Sequence, residues 1–132
     1  MAKKDIIKYM IKLKKFFKSF KFALVGLNKV FWEEQNFRID LFITVMVLAL
    51  AGWLQVEVWE FLILVIIIAL VLILEILNSI LERFVDLLKP SLHAYARDIK
   101  DMTAAAVFIA ALAAAITGIL ILLPYLINKF FY

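Results

Sequence analysis

The residues with the most chemical potential lie in one run, Leu74–Asp86, which reads LEILNSILERFVD. Glu75, Asn78, Glu82 and Asp86 recur at steps of three and four. On a helix turning about 100° per residue they fall within roughly 80° of one another. This polar stripe closes the most hydrophobic stretch of the chain, Phe61–Leu74. Ionisable groups at membrane depth are costly, face a protein interior or a wet cavity, and by default point to function. Several carboxylates with an amide and a lysine, Lys100, suit a hard cation such as Mg2+. Such an ion takes one or two carboxylates, waters and the phosphates of a substrate. Phosphoryl transfer uses the same parts: a metal bridging phosphate oxygens, a cation to neutralise charge, and a carboxylate to orient or deprotonate the acceptor hydroxyl. No G-x-x-x-x-G-K-[ST] loop exists, and the only glycines are Gly26, Gly52 and Gly118. ATP would therefore need a cradle other than a Walker loop.

A plainer reading stands beside each of these groups. Glu75 with Asn78 could be an interhelical hydrogen-bonding pair, and Glu82 and Asp86 ordinary helix-end carboxylates. Glu33 and Glu34 could be solvated acids at a helix start. Lys100 beside Asp101 could be a loop pair worth little. His93, the single histidine, could be a surface loop residue.

The elements that must carry the stripe are membrane spans. The chain has 132 residues, enough for one domain, and is 67% hydrophobic with a mean hydropathy of +1.02. That composition excludes an ordinary soluble protein, which is about 45–50% apolar. Cysteine is absent, which removes disulfides and thiolate metal sites. Residues 1–38 hold ten of the fifteen Lys and Arg. A membrane surface explains this basic arm and the apolar composition together, whereas a nucleic-acid partner explains only the first. No apolar core with a cleavage site precedes Leu41, so a secretory signal peptide is not expected.

Residues 3–24 read as an amphipathic helix. Ile6, Met10, Leu13, Phe17, Phe20 and Leu24 share one face, and Lys4, Lys8, Lys12, Lys15 and Lys18 the other. A basic helix with phenylalanines suits the plane of the membrane interface; a positively charged topogenic flank is the plainer alternative. Gly26 is expected to relax the chain before the first span. The uncharged part of that span, Leu41–Leu54, has 14 residues, and about 20 are needed to cross. Starting near Glu34 restores the length, with Arg38 snorkelling to the headgroups and Asp40 facing protein or water. Trp53 and Trp59 bracket a short loop at the opposite interface. The second span runs over 61–81, residues 82–101 form a mixed-charge loop broken by Pro90, and the third span covers 102–127. Ala106, Ala110, Ala114 and Gly118 recur at every fourth position, a stripe expected to pack helices closely. Lys and Arg crowd the arm and the second loop, which places the N-terminus in the cytoplasm. Three helices are too few to surround Glu75, Asn78 and Glu82, so another copy of the chain is the expected shield.

The run E-I-L-N-S-x-x-E-x-x-V-D from Glu75 to Asp86 is followed, after a short connection, by H-x(6)-K-D-M from His93 to Met102 and an alanine-rich helix. Upstream stand F-K-x-A-x-x-G-L around Gly26 and E-x-x-F-R from Glu34 to Arg38. Over roughly residues 15–125 this pattern resembles the small prokaryotic integral-membrane diacylglycerol kinases, a family that includes the undecaprenol kinases of Gram-positive bacteria. The resemblance implies an all-α homotrimer of three-span chains with an N-terminal surface helix and sites between subunits at the cytoplasmic face. It implies transfer of the ATP γ-phosphate to a lipid hydroxyl, with Mg2+ as cofactor. Position by position, it makes Glu75 the catalytic base and Asn78 its neighbour in the site. Glu34 and Glu82 become the Mg2+ carboxylates and Lys100 the residue facing the phosphates. Asp86, His93 and Asp101 fall at nucleotide-side or supporting positions, and Lys15 or Lys18 supplies a basic group from the surface helix. Three positions depart from the family pattern: Ile80 stands where a small residue is usual, Ala94 follows His93, and Thr103 follows the K-D-M triplet. The lipid is expected to be diacylglycerol, with undecaprenol as the alternative. The rival from another class is a non-enzymatic oligomer or cation pathway, which the uncharged outer halves of the spans disfavour.

Overall fold

The computed structural model describes residues 3–88 and 93–131, with side chains described for 14–87 and 95–131. Four helices follow in order: α1 (Lys3–Glu33), α2 (Gln35–Leu54), α3 (Val58–Leu88) and α4 (His93–Phe131). They divide into two units, one holding α1 and the other α2, α3 and α4.

In its own unit, α1 continues through Gly26 to Glu33, so the expected break at Gly26 is absent. A lone glycine costs a helix about 1 kcal/mol relative to alanine, too little to end a run flanked by Ala23, Leu24 and Leu27. A Cβ added at Gly26 would touch nothing within 4 Å, so no close approach requires glycine there. The interruption comes instead at Glu34, whose N–H still bonds the Val30 carbonyl at 2.9 Å. The phenylalanines at 16, 17, 20 and 22 are exposed, as an interfacial helix requires.

In the second unit, α2, α3 and α4 are each long and apolar enough to cross a membrane, and the protein is a multi-pass membrane protein. α2 ends in a reverse turn built by its backbone. Val56 N–H bonds the Ala51 carbonyl at 3.3 Å and Gln55 N–H the Gly52 carbonyl at 3.2 Å. That Schellman pattern puts Gln55 at φ 54°, a position that glycine usually takes. Gln55→Gly should therefore raise stability by about 0.5–1 kcal/mol, read as a higher denaturation midpoint in micelles. A lower midpoint would show that the Gln55 side chain does more than occupy the turn.

α3 opens with half of a capping box, the Glu60 carboxylate accepting from the Glu57 N–H at 3.2 Å. The same carboxylate accepts from Tyr125 on α4 at 2.6 Å, while the Trp59 indole donates to Glu57. Lys129 donates to the Trp53 carbonyl at 3.2 Å and lies over the Trp53 ring. These contacts pin the last turns of α4 to the α2–α3 connection. Beneath them lies the core of the bundle, Ala51, Leu54, Leu64, Ile121 and Leu122.

Two further expectations are corrected. The charged segment 82–101 is largely helical, carried on the end of α3 and the start of α4, with only residues 89–92 between them. Leu81 and Val85 keep the apolar spacing of α3 going past Glu82, so nothing stops the helix there; Pro90, the expected breaker, lies outside the described residues. The small-residue stripe of α4 does not pack as a unit: Ala110 is buried, Ala106 is exposed, and Gly118 has nothing near its missing Cβ. A four-residue step advances about 400°, so over three steps the stripe drifts by roughly 120° and leaves any one neighbour. Ala114 and Gly118 instead line a cavity of about 470 Å³ between α2, α3 and α4.

Candidate functional site

Helix geometry brings the α3 stripe together as its spacing requires. Leu64, Val71, Glu75, Asn78 and Val85 are buried along one line of α3, which is apolar over its first half, polar at Glu75 and Asn78, and apolar again at Val85. Glu75 is 4% exposed and Asn78 9%. Both are therefore shielded within a single chain, so a second copy is not what hides them. The α3–α4 contact is the most extensive in the bundle.

Asn78 donates from Nδ2 to Glu82 Oε1 at 3.1 Å, one turn further along. Its Oδ1 is buried with no hydrogen-bond partner among the described residues. A buried acceptor left unmet costs about 1–3 kcal/mol, so this amide oxygen is suited to a ligand rather than to packing. Ser79 is buried too, and its hydroxyl back-bonds to the Glu75 carbonyl at 3.0 Å. That bond fixes the backbone at Glu75, a role hydropathy does not single out although the N-S pair holds the residue.

Across the α3–α4 gap, Lys100 Nζ donates to Asp86 Oδ1 at 2.8 Å, joining two predicted site residues from different helices. Lys100 is held from behind by Thr103, whose hydroxyl donates to the Lys100 carbonyl at 3.0 Å. Asp101, next in sequence, is exposed. His93 begins α4, and its side chain lies outside the described residues. In the other unit, Glu34 sits at the junction where α1 ends; Lys15 and Lys18 are exposed on α1, and Lys18 lies 5.8 Å from the Phe22 ring centre.

The arrangement grades from a buried carboxylate through an amide to a pair of half-exposed charges within about three turns. Polarity and exposure thus rise together along α3 from Glu75 to Asp86. Among the described residues no group of three or more His, Cys, Asp or Glu is placed to hold a metal.

Residues 21–122 match the family described as prokaryotic diacylglycerol kinase. A diacylglycerol kinase of Synechocystis sp. is 41% identical over 111 residues, 83% of this chain and 63% of that protein. An undecaprenol kinase of Bacillus subtilis is 34% identical over 114 residues, 86% of this chain and 93% of its own length. A diacylglycerol kinase of Escherichia coli is 35% identical over 97 residues, 74% of this chain and 80% of its own length. The alignment thus spans less than two-thirds of the Synechocystis protein but most of the other two.

Proposed function

The chain belongs to the prokaryotic diacylglycerol kinase family, and from that premise we propose that it is an ATP-dependent lipid kinase of the cytoplasmic membrane. The observation that carries the reading is the burial of Glu75 and Asn78 on a membrane span, with Glu82, Asp86 and Lys100 close beyond them. The lipid hydroxyl oxygen attacks the γ-phosphorus of ATP, its proton passes to the Glu75 carboxylate, and the bond from phosphorus to the ADP oxygen breaks. Asn78 orients the reacting hydroxyl, and Lys100 leaves Asp86 to face the phosphates. Asp86, Asp101 and His93 lie on the nucleotide side. Lys15 or Lys18 adds a basic group, and the N-terminus is inside.

Mg2+ fits the donors. It binds through one or two carboxylates, waters and phosphates, so it needs no cage of three protein acids. Glu82 with the unmet Asn78 oxygen, and Glu34, would hold it. When bound, it neutralises charge on the transferring phosphate.

The lipid is diacylglycerol, on the wording of the E-I-L-N-S run; the relatives carry both lipid names. Assembly is a homotrimer with shared sites. A cation pathway is disfavoured by the cavity between the three spans, lined by apolar side chains apart from Asp40 and Thr44. The test is the chain in vesicles with labelled ATP, Mg2+ and either lipid. Phosphate should enter diacylglycerol at least tenfold faster than undecaprenol. The reverse order overturns the lipid assignment, and no labelled lipid at all overturns the kinase.

A further inference from the structure

α1 carries two opposed faces. At about 100° per residue, Lys14, Lys18, Lys21 and Lys29 fall within roughly 80° of one another, with Lys15 just beside them. Phe16, Phe17, Phe20, Leu24 and Leu27 fill an arc of roughly 100° on the far side. Every one of these side chains is exposed. Phe22 and Val25 fall among the lysines, and Lys18 lies 5.8 Å from the Phe22 ring centre. Over residues 3–32 the sequence holds nine lysines against one acid, Asp5, so the helix is strongly positive along its length.

Such a helix fits a surface that is apolar on one side and negative on the other. Lysines are drawn to an anionic leaflet, and at physiological salt the pull fades within about 8 Å. The attachment of α1 therefore varies with the charge of the leaflet beneath it. Only Glu34 separates α1 from the start of α2, and the short connection 55–57 returns the chain, so α3 ends on the side of the membrane where α2 begins. A lipid phosphorylated at the Glu75–Asp86 stripe is released into the leaflet that α1 meets. The lipid alcohol is uncharged, whereas a phosphate monoester carries about −1.5 to −2 charges at pH 7. Each turnover makes that leaflet more negative.

We propose that α1 docks on a leaflet carrying phosphomonoester lipid, the class of product this kinase makes, and that docking speeds the enzyme that made it. The identity of the lipid rests on the proposed function, whereas the two faces of α1 do not. Docked, α1 keeps Lys15 and Lys18, the basic candidates for the site, at the depth of the headgroups. Lys14, Lys21 and Lys29 are left to meet the lipid phosphates. A leaflet of neutral lipid holds α1 through its apolar face alone, so the reaction starts slowly and quickens as product collects.

The chain lacks cysteine, so A23C takes a single environment-sensitive fluorophore at the border of the apolar face. The full chain is placed in vesicles of phosphatidylcholine alone or with phosphatidic acid. The label should brighten at least threefold where phosphatidic acid is present. K14Q with K21Q and K29Q, three exposed positions outside the proposed site, should abolish that gain. In phosphatidylcholine, lipid phosphorylation should begin with a lag. Phosphatidic acid added beforehand should remove the lag and raise the initial rate at least threefold, in the wild type but not in the triple variant. Inorganic phosphate should do neither; if it does, the ligand is no leaflet and the docking falls. A label equally bright in both vesicles also overturns the docking, and an initial rate that phosphatidic acid leaves unchanged or lowers overturns the acceleration. A responsive label on a chain that phosphorylates no lipid upholds the docking and removes the kinase; an active kinase whose label ignores phosphatidic acid does the opposite.

Discussion

Glu75→Gln is expected to lower lipid phosphorylation by at least 10³-fold while leaving the protein folded and oligomeric. A general base typically contributes 10²–10⁴-fold, and the amide keeps the shape of the side chain without accepting the hydroxyl proton. The structure sharpens the expectation. Glu75 is almost fully buried, and the amide fills the same space, so the denaturation midpoint should change little. Loss of activity with a preserved midpoint separates chemistry from folding. More than a tenth of the activity retained would take the base role from Glu75.

The second large effect falls on Mg2+ dependence. Glu82→Gln should raise the half-saturating Mg2+ concentration about 10–100-fold, the range seen when groups supporting a metal are lost. The amide oxygen of Gln can still accept from Asn78 Nδ2, so stability should change little. Glu82→Ala should show the same metal defect and in addition lose stability, because it strands that buried donor at a cost of about 1–3 kcal/mol. A Mg2+ titration identical to wild type in both variants would remove Glu82 from the metal.

The spans were readable because length and apolarity alone define them, and the α3 stripe because helical spacing is local. The i,i+4 pair Asn78–Glu82 follows directly from that spacing. Reading failed where a weak local signal was weighed as a strong one. Gly26 suggested a break that its helix-forming neighbours override, and the charges of 82–101 suggested a loop although the apolar spacing continues beneath them. The α4 stripe was read as a straight line, and a four-residue repeat is not straight on a helix of 3.6 residues per turn. Other contacts could not be read at all. Tyr125 meets Glu60 from 65 residues away, and neither type signals the other. Both partners of the Asp86–Lys100 bond were named as site residues, but only the fold shows them touching.

The two ends of the three-helix bundle are joined by different kinds of contact. At the α2–α3 turn, a half-buried carboxylate, a tyrosine, a lysine over tryptophan and the apolar core hold α4 fast. At the other end, buried Val85 and Ala96 lie near a half-exposed ion pair between Lys100 and Asp86, a type worth about 0–1 kcal/mol. Tyr125 and Lys100 are about 37 Å apart along α4, so a pivot of a few degrees about the first end would move the second by roughly 2–3 Å. Any such play is greatest beside the proposed site and least at the opposite end of the bundle.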